Sequence, residues 1–183
     1  MGYNARGSGG ATPKEVQMAS VLITGTSKGI GFEAALAFGR AGHTVHATMR
    51  NPLQSAELAQ TAEREKLPIR VSRMDVDSDE SVTHGIAAIE KDHGAIDVLV
   101  NNAGVERTGS VEALAMDDFR AVMETNYFGA IRCIKALLPQ MRQRRSGSII
   151  NVTSIGGRIS SAPLTPYNAS KWELEAFSEG LGR

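Results

Sequence analysis

The sequence predicts an α/β domain in which helices wind over both faces of a parallel sheet, and two observations predict it. Short β-branched runs alternate with amphipathic stretches from Ala19 onward, and a glycine-rich turn sits between the first run and the first helix. Strand alternating with helix implies a parallel sheet, because each right-handed crossover must pack back on the sheet it left.

Taken in order, the strand-like runs are SVLIT (20 to 24), TVHAT (44 to 48), IRVSRM (69 to 74), IDVLVN (96 to 101) and GSIINVT (147 to 153). Helical composition and period fall at 29 to 41, 53 to 65, 78 to 93, 117 to 143 and 166 to 181. Gly42 is placed to end the first helix, and Asp77 or Ser78 to cap the third, with acidic residues following in its first turn. Pro139 inside the fourth stretch predicts a kink or an early end near Leu138.

With 183 residues and 42% hydrophobic content, the chain is long enough for one domain with a substantial core. Residues 1 to 17, with four glycines and one Pro, read as a flexible leader or tag, leaving 18 to 183 as the folded domain. Twenty basic and twenty acidic residues cancel, which excludes recruitment of nucleic acid or an anionic membrane by a global field. Arg142, Arg144 and Arg145 read as a solvated helix end. A single cysteine, Cys133, excludes an internal disulfide and fits a reducing, cytoplasmic setting. Its apolar neighbours mark it as a packing residue rather than a nucleophile. The four histidines have no metal-ligand spacing, so no metal is expected, and no apolar run is long enough for a membrane span.

The turn TGTSKGIG (24 to 31) places glycines at Gly25, Gly29 and Gly31, a G-x-x-x-G-x-G spacing. Glycine there permits a tight turn, close approach of backbone to a pyrophosphate and close helix packing, while the helix N-terminus supplies amides and a positive dipole end. A glycine cluster alone is weak evidence; between a strand and a helix it points to a dinucleotide. At the end of the second strand, where an acid would hold an adenosine ribose diol, the chain has Met49 and Arg50. Arg50 and Lys28 together can neutralise a 2'-phosphate, which favours NADP over NAD; the alternative is that Arg50 is an ordinary exposed residue after a strand.

Six motifs in register now carry a resemblance: TGTSKGIG at 24, MDV at 74, NNAG at 101, TNYFG at 125, SIINVTS at 148 and YNASK at 167. Over residues 18 to 183 the chain resembles the short-chain dehydrogenase/reductase family, in wording closest to the branch of steroid and retinol dehydrogenases. The resemblance implies a Rossmann sheet ordered 3-2-1-4-5. It implies that Thr26, Ser27 and Ile30 surround the pyrophosphate with the glycines, that Asp75 and Val76 contact the adenine, and that Asn102, Ala103 and Gly104 line the cofactor beyond the fourth strand. It further implies a catalytic tetrad of Asn126, Ser154, Tyr167 and Lys171, with Ser154 and Tyr167 thirteen residues apart as in the family.

The chemistry such residues perform is carbonyl and alcohol interconversion by hydride transfer. A phenol ordinarily ionises near pH 10, so it needs a nearby cation to exchange protons at neutral pH. Lys171, one helical turn from Tyr167, supplies one. By resemblance Lys171 also holds the nicotinamide ribose, Ser154 bonds the substrate oxygen, and Asn126 orients a water that relays protons from Lys171. The family continues past the tyrosine helix with two further strands, a loop over the nicotinamide and a substrate segment. Ending at Arg183, the chain is therefore expected to be impaired in turnover, and the alternative reading is a nucleotide-binding or regulatory module. Steroid, retinoid, acyl thioester and sugar carbonyls are all compatible as small-molecule substrates. The resemblance also implies a homodimer or homotetramer through the helices at 111 to 138 and 170 to 183.

Overall fold

The computed structural model describes residues 18–182, and the expected leader lies outside the described residues. Five strands, β1 (Ser20–Thr24), β2 (Thr44–Met49), β3 (Ile69–Arg73), β4 (Val98–Asn101) and β5 (Ser148–Asn151), form one parallel sheet in the order β3-β2-β1-β4-β5. This is the expected order. The family resemblance implies that order, and the apolar run of β1 suits its central place, covered on both faces.

Successive β1 residues serve opposite layers. Val21 and Ile23 join Val45, Val100 and, from helices α1 (Gly29–Arg40) and α2 (Glu57–Glu65), Ala35, Leu36 and Leu58. Leu22 faces the other way, into a core with Ile86 of α3 (Asp79–His93) and Leu99. Cys133, Ile134 and Leu137 of α5 (Gly129–Arg144) complete that second layer, and the chain ends in α6 (Thr165–Leu181). Within the described residues β5 pairs only with β4, and Ile150 on it is exposed.

Local signals account for most boundaries. Gly42, at φ +90°, turns the chain after α1, and Ser78 caps α3 by accepting from the Ser81 amide at 3.2 Å. Two expectations need correction. The second helix begins at Glu57, not 53, because Pro52–Gln54 closes a separate 3₁₀ turn. The fourth helix does not end near Leu138: α5 runs through Pro139 to Arg144. A helix-interior proline costs about 3 kcal/mol, but Cys133, Ile134, Leu137 and Met141 on either side of it are buried, and that packing outweighs the penalty. A separate irregularity lies further up. Helix α4 (Met116–Met123) passes through a π turn at Glu124–Phe128 before α5 begins, and Asn126 sits inside that turn. Such turns are common where a helix serves a site.

Candidate active site

The carboxyl ends of β1, β2, β3 and β4 open onto a cavity of about 790 Å³. Its walls include Gly25, Ser27, Lys28, Gly29, Ile30, Arg50, Asp75, Val76, Asn102, Ala103 and Gly104, so eleven residues singled out in the sequence converge there. Ligands of open parallel sheets bind at this end, outside the strand termini.

The turn is shaped by its glycines in two ways. Gly29 has φ +63° and nothing within 4 Å of where a Cβ would stand, so its backbone faces open cavity at the start of α1. Gly25 has φ +70° and is packed so closely that a Cβ would lie 2.6 Å from Ala103 Cα. A pyrophosphate fits this cradle: bare backbone and a helix N-terminus on one side, Lys28 and Arg50, both exposed, at the rim.

Two predicted site residues of the turn do not line the cavity. Thr26 is fully buried, and its hydroxyl donates to Thr48 O at 3.1 Å, so it fastens the turn to β2. Gly31 lies beneath the turn, where a Cβ would fall 2.3 Å from Asn102 Nδ2. Asn102 is turned inward, donating to Thr24 O at 2.9 Å and Gly25 O at 3.0 Å. Thr24, which sequence reasoning passed over, organises the junction: its Oγ1 accepts from the amides of Asn102 (3.1 Å) and Ala103 (3.0 Å). A threonine ending a buried strand just before a glycine turn was the available signal.

At the adenine end expected for Asp75, the carboxylate accepts from the Asp77 amide at 3.2 Å. Asp77, also on the cavity wall, takes a hydrogen bond from Thr125 Oγ1 at 3.0 Å. Its pKa is raised, first by burial and then by the neighbouring Asp75 and Glu124 carboxylates, with the Thr125 bond opposing.

Ser154, Tyr167, Lys171 and Asn126 lie beyond this cavity, not on its wall. Pairing of Asn101 with Asn151 in the sheet sets Val152 beside Asn102, and Lys171 Nζ reaches the Val152 carbonyl at 2.8 Å. The same ammonium lies 5.7 Å from the Tyr167 ring centroid. Lys171 is 5% exposed, and burial lowers its pKa. Ser154 accepts from the Gly156 amide at 3.0 Å and starts a 3₁₀ turn over Ile155–Gly157.

The two glycines of that turn went unremarked in the sequence. A Cβ at Gly156 would lie 2.7 Å from Asn168 Oδ1, 3.3 Å from the Tyr167 ring and 3.4 Å from Ser154 Oγ, so there is no room for one. A Cβ at Gly157 would meet the Lys171 backbone at 2.9 Å. Their smallness lays the Ser154 loop directly on α6.

Asn126, 1% exposed, ties the two groups of residues together. Its Oδ1 accepts from the Val105 amide at 2.7 Å, and its Nδ2 donates to Val105 O at 2.9 Å and Ser170 Oγ at 3.0 Å. Val105 is on the cavity wall, and Ser170 in turn donates to Tyr167 O at 2.7 Å. Cys133 is buried in the core, its thiol pushed up to about 12 by burial, and takes no part.

A glycine cradle at the strand ends beside half-buried Tyr167 and buried Lys171 is the layout of a dinucleotide-binding α/β fold. The family model described as short chain dehydrogenase matches residues 19–183, and the chain belongs to that family. It is 42% identical over 167 residues to retinol dehydrogenase 8 of Bos taurus, covering 88% of this chain and 53% of that protein. Among solved structures it resembles a gluconate 5-dehydrogenase from Burkholderia cenocepacia J2315 in complex with NADP and tartrate, with a TM-score of 0.83 and 32% identity, covering 89% of this chain and 64% of that one. A variant of actinorhodin polyketide ketoreductase with NADPH superposes with a TM-score of 0.86 at 32% identity, covering 90% of this chain and 64% of that one. The chain spans about half the length of the curated relatives it matches.

Proposed function

We propose that the site serves an oxidoreductase that interconverts a carbonyl and an alcohol, with NADP as its cofactor. The observation that carries this reading is Lys171, buried, bonded to Val152 O and lying against Tyr167, within one strand's width of the NNAG segment on the cavity wall. When bound, the dinucleotide supplies or accepts the hydride. Lys171 keeps positive charge beside the phenol, so that Tyr167 gives a proton to the substrate oxygen in reduction and removes it in oxidation. Ser154 donates a hydrogen bond to the same oxygen. Asn126 fixes Val105 and, through Ser170, the helix start that bears Tyr167; a proton relay by way of a water at Asn126 and Lys171 is part of the same proposal.

Arg50 and Lys28 on the cavity rim support NADP over NAD, as do relatives solved with NADP and NADPH. Exposed Phe128 and Trp172 lie on the segments expected to join copies into a dimer or tetramer. Among the described residues no helix is long and apolar enough to cross a membrane. A reducing, cytoplasmic setting remains the reading that the single cysteine supports.

The test is a carbonyl panel with NADPH and NADH, on this chain and on longer forms of it. Carbonyl-dependent loss of NADPH absorbance is expected, and Tyr167→Phe should lower kcat by about 10²- to 10⁴-fold while dinucleotide binding persists. NADPH binding with no turnover on any carbonyl by any form of the chain would favour the regulatory-module reading. Arg50→Asp should shift the NADPH to NADH preference by about tenfold toward NADH, the loss of one charge-assisted phosphate contact.

A further inference from the structure

The loop that follows β3 is held by the helix that follows Asn126. Arg132, on the first turn of α5, donates through Nη1 to the Val76 carbonyl at 3.2 Å, and its remaining nitrogens bond Asp79 and Glu124. Asp79 opens α3, directly after the loop, and Glu124 opens the π turn. The guanidinium thus spans both sides, and its side chain is only 21% exposed. A second tie runs beside it, Thr125 Oγ1 to Asp77 Oδ2 at 3.0 Å, and a Cβ at Gly129 would stand 2.9 Å from the Val76 side chain. Loop and π turn therefore meet with no slack.

Each partner of this junction has a role in the cavity. Asp75, Val76 and Asp77 form its wall at the β3 end, and the π turn carries Asn126, whose side chain pins Val105, also on the wall. Arg132 itself is not on that wall. A rigid fork with three acceptors on two elements makes displacement of one element costly without displacement of the other.

We propose that Arg132 is a positioning residue: it clamps the Asp75–Asp77 loop to the π turn, so that filling the adenosine end of the cavity fixes Asn126 and hence Val105. The proposal rests on the dinucleotide reading given above. Coupling of this kind is a free energy shared between two sites and requires each to bias the same element. Here that element is the loop and π turn acting as one body.

Hydrogen exchange of the Val105 amide, measured by NMR, reports directly on the Asn126 clasp. The ligands are NADPH and 2',5'-ADP, the latter filling only the adenosine end. In the unaltered 183-residue chain both should slow exchange at Val105 by about tenfold, within the usual range for coupled sites. In Arg132→Met, 2',5'-ADP should still bind but leave Val105 exchange unchanged. Arg132→Lys keeps a cation between Asp79 and Glu124 for folding, yet a point charge cannot hold three acceptors, so it too should lose the response. A merely structural role would weaken Val105 protection with and without ligand and leave the ratio intact. That result, or protection in either folded variant equal to the unaltered chain, overturns the proposal, as does binding of 2',5'-ADP to the unaltered chain with no response at Val105. Failure of the unaltered chain to bind either ligand overturns instead the dinucleotide reading beneath it.

Discussion

Around the glycine turn, nearly every polar contact is made by the turn itself and the strand ends beside it: Thr26 to Thr48, Asn102 to Thr24 and Gly25, Thr24 to Asn102 and Ala103. Around Tyr167, the contacts join helices to loops and to each other rather than strand ends to one another. Asn126 reaches back 21 residues to Val105 and forward 44 to Ser170, and Lys171 reaches 19 back to Val152. One region is fixed where the strand ends and the tightly packed glycine turn close on each other; the other is assembled by side chains that arrive from three elements. The first should fail through sterics and the second through loss of single polar groups.

Gly25→Ala breaks the first region hardest. A Cβ would sit 2.6 Å from Ala103 Cα, a backbone atom that cannot yield, and φ +70° adds strain for any side chain. We expect a loss of about 2 to 4 kcal/mol in denaturant unfolding, with weakened NADPH binding by titration. Gly29→Ala, in open space at φ +63°, should carry only the backbone strain of about 1 to 2 kcal/mol. Equal losses from the two substitutions would refute the distinction between packed and open glycines.

Asn126→Asp tests the second region with almost no change of shape. The Val105 amide keeps an acceptor, but an oxygen then faces Val105 O in place of the Nδ2 donor. A buried acceptor left without its donor costs about 1 to 3 kcal/mol. Kinetically, kcat should fall further than NADPH affinity, because the changed contacts adjoin Ser170 and Tyr167 rather than the glycine cradle. Affinity falling while kcat holds would sink that assignment.

How much of this was readable in advance divides along the same line. The strands and the glycine cradle follow from runs a few residues long, each with its own physical demand, whereas the strand order and the cavity positions at 75–76 and 102–104 came through the family resemblance. The ties between regions follow from neither. Nothing in TNYFG announces a π turn, since the extra residue is accommodated by contacts from Val105 and Ser170 that sequence spacing does not register. Pro139 was a true local signal overridden by the buried face around it. Thr26 and Gly31 belong to the motif by position, yet support the turn from behind because the chain reverses there. Arg132 resembled any helical arginine until its three acceptors were seen.

The most gradual expected effect is a pH dependence confined to the sheet side of the comparison. His46, in β2, is 2% exposed, stacks on His93 with ring centroids 5.2 Å apart, and among the described residues has no partner for Nε2. Burial first, then the charges of His93 and Arg70, lower its pKa from 6.5 to about 4. An unfolded chain would bind this proton from about pH 6.5 downward, whereas the folded one refuses it until about pH 4. The contribution of neutral His46 is therefore fully present above pH 6.5 and is lost as pH falls toward 4, at no more than about 1.4 kcal/mol per pH unit. Urea unfolding at pH 7.5, 6 and 5 should show this slope in the unaltered chain and a shallower one in His46→Phe, whose ring keeps the stack on His93 without a titrating nitrogen. Carboxylates contribute equally to both chains, so the difference between the slopes isolates His46. Parallel slopes would mean that His46 is as readily protonated in the folded sheet as in the unfolded chain.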